Sequence, residues 1–311
     1  MSQSRDKKLR MLTQSIARGD FGRARELLGA SGKRQADKED ARSDGKPVGL
    51  EAAGGPIELA AACPGVESSI ITAAGELRHW LIRRTLAEIS PDSLPVARRY
   101  AAVMRGAGQR LDELEASAAL CHAAGARPED LLFMDIETCG LAGTAIFLVG
   151  TMSFAEGQLI FEQHLARDYS EEPAILRAFL SRLEGAGVLV TFNGKAFDMT
   201  QVRERAAFHA IEVWSGPRGE GPPHLDLLQE SRRRWKKSLP NCKLQTLERH
   251  LCGRLRTGDI PGWAIPDAYH RFVSTRDARQ IRDIVHHNML DLLTMAELLC
   301  ATLTGSDAAG E

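Results

Sequence analysis

The sequence predicts an α/β layered fold, and three features of its C-terminal half carry that prediction. Three short apolar runs, Leu131 to Ile136, Ala145 to Phe154 and Leu159 to Leu165, follow one another closely. A helical pattern from Glu171 to Leu183 leads into a glycine-bounded apolar run, Val188 to Phe192, and a second helical pattern covers about Ala196 to Ala210. The resulting order β-β-β-α-β-α, with further helices behind it, is that of a sheet covered by helices.

Along the chain, Leu9, Leu12, Ile16, Ala24, Leu27 and Leu28 stand near helical spacing before Gly29, so residues 1–30 read as a short helical segment. Nine of the eighteen residues from Ser31 to Val48 are charged, with mixed signs and no aromatic, which makes 31–49 a charged flexible linker. Residues 50–129 alternate Ala-rich helical patterns with breaks at Gly54-Gly55-Pro56, Pro64-Gly65, Pro91 and Pro128. They read as a mainly helical N-terminal extension whose clearest helix runs from about Val96 to Leu120. The catalytic domain is expected at 130–304. Its second and third strands form a hairpin across Ala155-Glu156-Gly157-Gln158, and its later helices lie near Leu225 to Lys237, Lys243 to Leu251 and Asp277 to Leu303. Residues 305–311 read as a disordered tail.

Composition narrows the classes of function. A chain of 311 residues, 43% hydrophobic, can bury a sizeable core. Lys plus Arg is 40 against Asp plus Glu at 41, so no global field draws it to nucleic acid or membrane and any attraction is local. Six cysteines with no C-x-x-C spacing fit a reducing, cytoplasmic setting. The N-terminus lacks the apolar stretch of a secretory signal. The longest uncharged stretch, Thr138 to Ala155, is 18 residues broken by Gly140, Gly143 and Gly150, so no membrane span is expected. No motif for a nicotinamide or flavin cofactor is expected to act here.

The chemistry is carried by acids placed where a core should be. Asp135 and Glu137 end the apolar run Leu131 to Ile136, and residues two apart on a strand project from the same face. Alone, such a pair is an ordinary solvated strand edge; at the end of a buried strand it is a place for cations. Asp198 follows a strand and the turn Asn193-Gly194, where an acid by itself would merely complement a helix dipole. Asp291 lies on a helix with His287, about 40° away around the axis, whereas His286 is about 140° away. Four acids at such positions suit hard divalent cations, Mg²⁺ or Mn²⁺, and a formal −4 is what two of them neutralise. In a two-metal centre one ion activates water and the other steadies the leaving oxygen, with a histidine as general base.

Phe133-Met134-Asp135-Ile136-Glu137-Thr138-Cys139-Gly140-Leu141 resembles the first motif of the DEDD (DnaQ-like) exonucleases. Asp198 fits the second motif and the stretch from His287 to Asp291 the third. The sequence is identified more narrowly as similar to the YprB-type ribonuclease-H-like family of that superfamily, through Asn193-Gly194-Lys195-Ala196-Phe197-Asp198, Asn241 to Glu248, Asp259-Ile260-Pro261-Gly262 and His287-Asn288-x-x-Asp291. The resemblance covers about residues 130 to 303. It implies a ribonuclease-H-like mixed sheet flanked by helices, with Asp135, Glu137, Asp198 and Asp291 as metal ligands and His287 as base. The histidine-type members place the base five residues before the last acid, which here is His286, and the tyrosine type four, which is His287; the shared helix face favours His287. Cys139 stands where threonine is common.

Between Gln229 and Arg256 nine basic residues face only Glu230 and Glu248, a local +7 on a neutral chain. Arg232, Arg233, Arg234, Lys236, Lys237 and Lys243, with Trp235 to stack on a base and Lys195 near Asp198, form the expected path for a phosphate backbone. Trp263 reads as packing, and Asp226 as a helix-start acid. The expected function is a metal-dependent nuclease cutting single-stranded DNA or RNA, with 3′→5′ polarity implied by the resemblance alone. The alternatives are a nucleic-acid-binding module without turnover on the same fold and a phosphatase of small substrates, which the long basic helix disfavours.

Overall fold

The apolar runs become strands because their alternate side chains have a helix layer to enter on each side. The computed structural model describes residues 55–90, 94–110, 116–140, 143–214 and 220–305. The segments expected at 1–30 and 31–49, and the tail from residue 306 on, lie outside them. After a short helix α1 (Leu59–Ala62) come β1 (Val66–Thr72) and β2 (Gly75–Thr85), then α2 (Leu86–Ile89), α3 (Leu94–Gly106) and α4 (Ala118–Gly125). The central part is β3 (Leu131–Thr138), β4 (Ile146–Ala155), β5 (Gln158–Leu165), α5 (Glu172–Glu184), β6 (Val188–Thr191) and α6 (Asp198–Phe208). It is followed by β7 (His224–Asp226), α7 (Leu227–Trp235), α8 (Leu244–Leu251), α9 (Ile265–Thr275) and α10 (Arg279–Thr304).

The strands form one mixed sheet of order β1-β2-β5-β4-β3-β6-β7. β3, β6 and β7 run parallel and the remaining pairs are antiparallel. On β3, Leu131 and Phe133 enter one core with Tyr100, Met104, Phe161, Trp235 and Leu292. Leu132, Met134 and Ile136 enter the other with Phe147, Phe179, Met199, Tyr269 and Ile284. Phe147 stacks flat on Tyr269, with ring centroids 4.0 Å apart. Each such side chain contributes about 2 kcal/mol through burial, so both faces of β3 are held firmly.

Four elements differ from the sequence expectation. Residues 66–85 form a hairpin that pairs with β5 and extends the sheet, although little in Val66-Glu67-Ser68-Ser69-Ile70-Ile71-Thr72 alternates cleanly. The helix expected from Val96 to Leu120 stops at Gly106, passes into a 3-10 turn, and a separate helix begins after Ser117, whose hydroxyl accepts the Leu120 N–H at 3.1 Å. The helix expected from Leu225 begins two residues later, because His224 to Asp226 pair with β6 as a strand. Finally, α9 fills a stretch left unassigned. Among the described residues no helix is long and apolar enough to cross a membrane. All six cysteines are free.

Candidate active site

The end of β3 is where the sheet stops being apolar. Phe133, Asp135 and Glu137 share one face, so the row that begins in the core ends in two carboxylates. Asp135 pairs with Gly150 of β4, which in turn pairs with Gln163 of β5. Asn288 of α10 lies across this row. Its Nδ2 donates to Asp135 Oδ2 at 2.8 Å, and its Oδ1 accepts from Gln163 Nε2 at 2.8 Å. Gln163 Nε2 also donates to the Val285 carbonyl at 2.7 Å, which ties α10 to the sheet. A Cβ at position 150 would stand 1.9 Å from Asn288 Oδ1, so glycine here leaves room for the Asn288 amide.

Asp198 arrives from the opposite side on the first turn of α6. The turn before it is held by Asp226, which accepts the N–H groups of Asn193 at 2.8 Å, Lys195 at 3.2 Å and Leu228 at 3.1 Å. Asp226 is thus a helix-start acid, as expected, and also the clamp that fixes the loop delivering Asp198. Asn193 adopts φ +65, and a Cβ on Gly194 would lie 2.4 Å from Thr191 Oγ1, which accounts for the Asn-Gly pair. The backbone of Ile136, between Asp135 and Glu137 in the chain, acts on the Asp198 carboxylate and favours its ionised form.

On α10, His287 and Asp291 face the same volume, with His287 Nε2 3.6 Å from Asp291 Oδ2. His287 Nδ1 lies 2.9 Å from both oxygens of Asp259. Asp259 is held below the usual carboxylate range: burial works against this, but hydrogen bonds and charge from His287 and Arg256 prevail. An ionised Asp259 can only accept, so Nδ1 carries a proton toward it and Nε2 is the ring nitrogen that faces Asp291. His286 is exposed and lines a cavity of about 550 Å³ with Arg84 and Arg282.

Arg256 is the residue that sequence reasoning misplaced. Its buried guanidinium donates to Asp291 Oδ1 at 2.6 Å, Glu248 Oε2 at 2.6 Å and Asp259 Oδ2 at 3.2 Å. Arg254 likewise binds Glu248, Thr294 and Glu297. Neither is free to meet a phosphate. The signal that could have found Arg256 was its spacing three residues before Asp259, since an arginine and an acid so placed can pair.

Asp135, Glu137, Asp198 and Asp291 lie within electrostatic reach of one another. Burial first, then Asp291, Glu137 and Asp198, push the Asp135 carboxyl well above its usual range, against the Asn288 hydrogen bond. Glu137 is raised in the same way by burial and by Asp291, Asp198 and Asp259. Asp198 is pushed up to about 7 by burial, with Asp226 and Asp291 adding to it and its backbone hydrogen bonds opposing. Burial raises Asp291 despite Arg256 and His287. The charges acting most on Asp135 and Glu137 are therefore all negative, and an all-oxygen donor set in that condition fits hard divalent cations. Among the described residues no three histidine, cysteine or acid side chains are already grouped as ion ligands. Like charges repel, and Asp291 is drawn onto Arg256.

The basic residues separate into two sets. Lys195, Arg232, Arg233, Lys236, Lys237 and Lys243 are exposed. Arg234 instead donates to the Ala301 and Thr302 carbonyls at the end of α10. Trp235 is 1% exposed inside the core, which corrects the expectation that it stacks on a base. Its neighbours on α7 are basic because that face meets water, while the indole points inward. Trp263, read as packing, is 82% exposed.

Residues 132–302 match the profile of the family described as RNase_H_2, RNase_H superfamily. Among curated proteins, the chain is similar to the uncharacterized protein YprB of Bacillus subtilis (strain 168), with 35% identity over 179 residues, 57% of this chain and 42% of that protein. The chain thus spans less than half the length of this relative. Among solved structures, the family B DNA polymerase from the hyperthermophilic archaeon Pyrobaculum calidifontis overlaps 54% of this chain and 24% of its own, at 13% identity and a TM-score of 0.37.

Proposed function

The chain belongs to the RNase_H superfamily, and from that premise we propose that it is a metal-dependent nuclease of the DEDD type, hydrolysing phosphodiester bonds of single-stranded nucleic acid from the 3′ end. The observation that supports the reading is the mutual charge repulsion of Asp135, Glu137, Asp198 and Asp291, with His287 beside Asp291. RNase H-like nucleases generally use divalent metal ions. Here Asp135, Glu137, Asp198 and Asp291 would hold two of them, Mg²⁺ or Mn²⁺, which when bound supply an acidified water and charge for the departing oxygen.

The chain's own residues do the rest. His287 Nε2 takes the proton of the attacking water, and Asp259 keeps the ring in the tautomer that can accept it. Asn288 aims the Asp135 carboxylate, and Asp226 fixes the turn before Asp198. As the water oxygen bonds to phosphorus the P–O3′ bond breaks, the O3′ takes up a proton, and a 5′-monophosphate leaves. A groove of about 580 Å³ leads from Asp259 past Gln245 and Arg249 to Asn241, beside Lys243, and supports a path for the strand.

The Arg256–Asp291 pair favours the second reading, a nucleic-acid-binding module without turnover, because a resident cation already serves one of the four acids. End-labelled single-stranded and duplex DNA and RNA, incubated with the protein in Mg²⁺, Mn²⁺ or chelator, separate the two. Metal-dependent ladders shortening from the 3′ end are expected. Binding without products under every condition would establish the module instead, and internal cuts would make it an endonuclease.

A further inference from the structure

We propose that Trp263 is the stacking platform for the terminal base of the single strand, in a recess that adjoins Glu137. The proposal rests on the nuclease reading above and deepens it.

Of the tryptophans, Trp235 is buried, and Trp80 is partly buried and donates to the Cys63 carbonyl at 3.0 Å. Trp214 is partly buried against the core, and of the four Trp263 alone presents its indole to water, at 82% exposure. An indole usually buries 150–250 Å², about the largest apolar area a side chain can offer, so leaving it out is costly unless a partner covers it. It is not carried by a loose loop. Trp263 sits on the turn Gly262–Ala264, with Asp259 fixed by Arg256 and His287 on one side and Ile265, Tyr269 and Phe272 anchored in the core on the other.

The recess beside it measures about 390 Å³ and is lined by Glu137, Thr138, Gly140, Phe197, Trp263 and Pro266. That volume is within the range of small-ligand sites and accepts a nucleobase with its sugar. Two of the lining residues are chain neighbours of the acids: Thr138 follows Glu137, and Phe197 precedes Asp198. A base held there places the adjoining phosphate at the carboxylates. The recess has no lysine or arginine among the described lining residues, and it carries one carboxylate, so a phosphate is not its occupant. A flat, uncharged ring is. Stacking tolerates any base, which suits a strand read without sequence preference.

The test uses the full chain with Asp135→Asn, so that bound strands persist. Oligonucleotides carry 2-aminopurine at the 3′ end, in the middle or at the 5′ end. Quenching of the end probe at the cleaved terminus is expected on binding, with little at mid-strand. Adding Trp263→Ala should abolish that quenching and weaken binding about 10-fold or more, Trp263→Phe should retain most of both, and a strand ending in an abasic sugar should bind the parent as weakly as Trp263→Ala binds the intact strand. Because the indole is exposed, Trp263→Ala should melt within about 2 °C of its parent. Unchanged quenching and affinity in Trp263→Ala would overturn the platform, as would a marked fall in melting temperature, which would show the indole to be packed. If the unsubstituted chain neither binds nor cuts any strand, the nuclease reading fails first. A chain that cuts normally but with Trp263→Ala unaltered in KM sinks the platform only.

Discussion

Glu172 and Asp135 are carboxylates close to β4, the first buried and the second half-buried, and the protein treats them in opposite ways. Glu172 is 1% exposed and fully answered: Oε1 accepts from the Ile146 N–H and from Arg205 Nε, both at 2.8 Å, and Oε2 lies 2.6 Å from Arg205 Nη2 and 2.7 Å from His209 Nε2. Asp135 has only the neutral amide of Asn288, and the charges around it are other acids. The fold can therefore neutralise a buried acid when structure is all that is required. Where it does not, the missing positive charge is what the proposed metal ions would supply. Local violations of good packing rules are expected at functional sites and nowhere else.

The sharpest way to break the comparison is to substitute both acids and read two quantities. Asp135→Asn should lower phosphodiester hydrolysis by at least about 10³-fold, while the melting temperature stays the same or rises, because a repelled charge has been removed. Glu172→Gln should do the reverse: it strands Arg205 without its counter-charge at a cost of about 3–5 kcal/mol, and leaves activity per folded molecule largely intact. Melts and turnover measured on the same preparations decide it. Equal loss of stability in both variants would erase the distinction.

Next in size is the base. His287→Gln should reduce turnover by about 10²–10⁴-fold without weakening strand binding. Asp259→Asn, which acts through the ring, should cost about 10–100-fold, as supporting groups of this kind do. His286→Gln serves as the control from the neighbouring position. If His286→Gln proved the more damaging, the assignment of the base would pass to it.

Much of this centre was legible in the sequence because it is local. Asp135 and Glu137 announce themselves by interrupting an apolar strand, and His287 and Asp291 by one helical turn. What could not be read is what depends on distant pairing. Arg254 and Arg256 look like solvated cations until Glu248, Asp259 and Asp291 are brought from three other places in the chain. The two tryptophans exchange roles for the same reason: Trp235 stands among arginines but its own face of α7 is the core face, and Trp263 stands in a Pro-Gly turn that looks like packing and is open. The β1–β2 hairpin was hidden because an edge pair needs only one partner strand, β5, and its weak alternation reflects one solvated face. The three-residue strand β7 is too short for any periodicity to declare it.

A smaller effect sharpens the comparison through pH. Asp198 titrates at about 7 in the folded chain against an ordinary 3.8, so between these values the folded state keeps a proton that the unfolded state has released. Stability from this group is fully present below 3.8 and is lost as the pH rises through about 7. The histidine pair on β2 and β5 acts the other way. Burial lowers His79 to about 4 and His164 to about 3, so their contribution is present above 6.5 and lost as pH falls. Taking the difference between the wild type and Asp198→Asn isolates the carboxylate from the histidines. In chelator, Asp198→Asn should melt several degrees above the wild type at pH 8, and the gap should have narrowed by about pH 5 and close only below 3.8. Added Mg²⁺ should raise the wild-type melting temperature more at pH 8 than at pH 6, since ligands must be deprotonated, and should leave Asp198→Asn less affected. A gap that is the same at both pH values would mean that Asp198 is not strained by its neighbours.

The smallest expected effect concerns the exposed cations of α7, which stand at the far end of the comparison: solvated charges for which no ion pair forms among the described residues. Arg232→Gln with Arg233→Gln removes two of them from a solvated helix face, so the melting temperature should hardly move. If the strand passes over this face, each lost phosphate contact should lower the slope of log affinity against log salt by about 0.7 for a single strand. The pair together should then weaken binding only a few-fold at physiological salt, with turnover of saturating strand unchanged. Lys236→Gln with Lys237→Gln, on the next turn, tests whether the path continues along the helix or crosses it: a matching drop in slope means it continues. An unaltered slope in both pairs would take the strand off α7 and leave the groove between Asp259 and Asn241, with Arg249 exposed on its wall, as the route to the carboxylates.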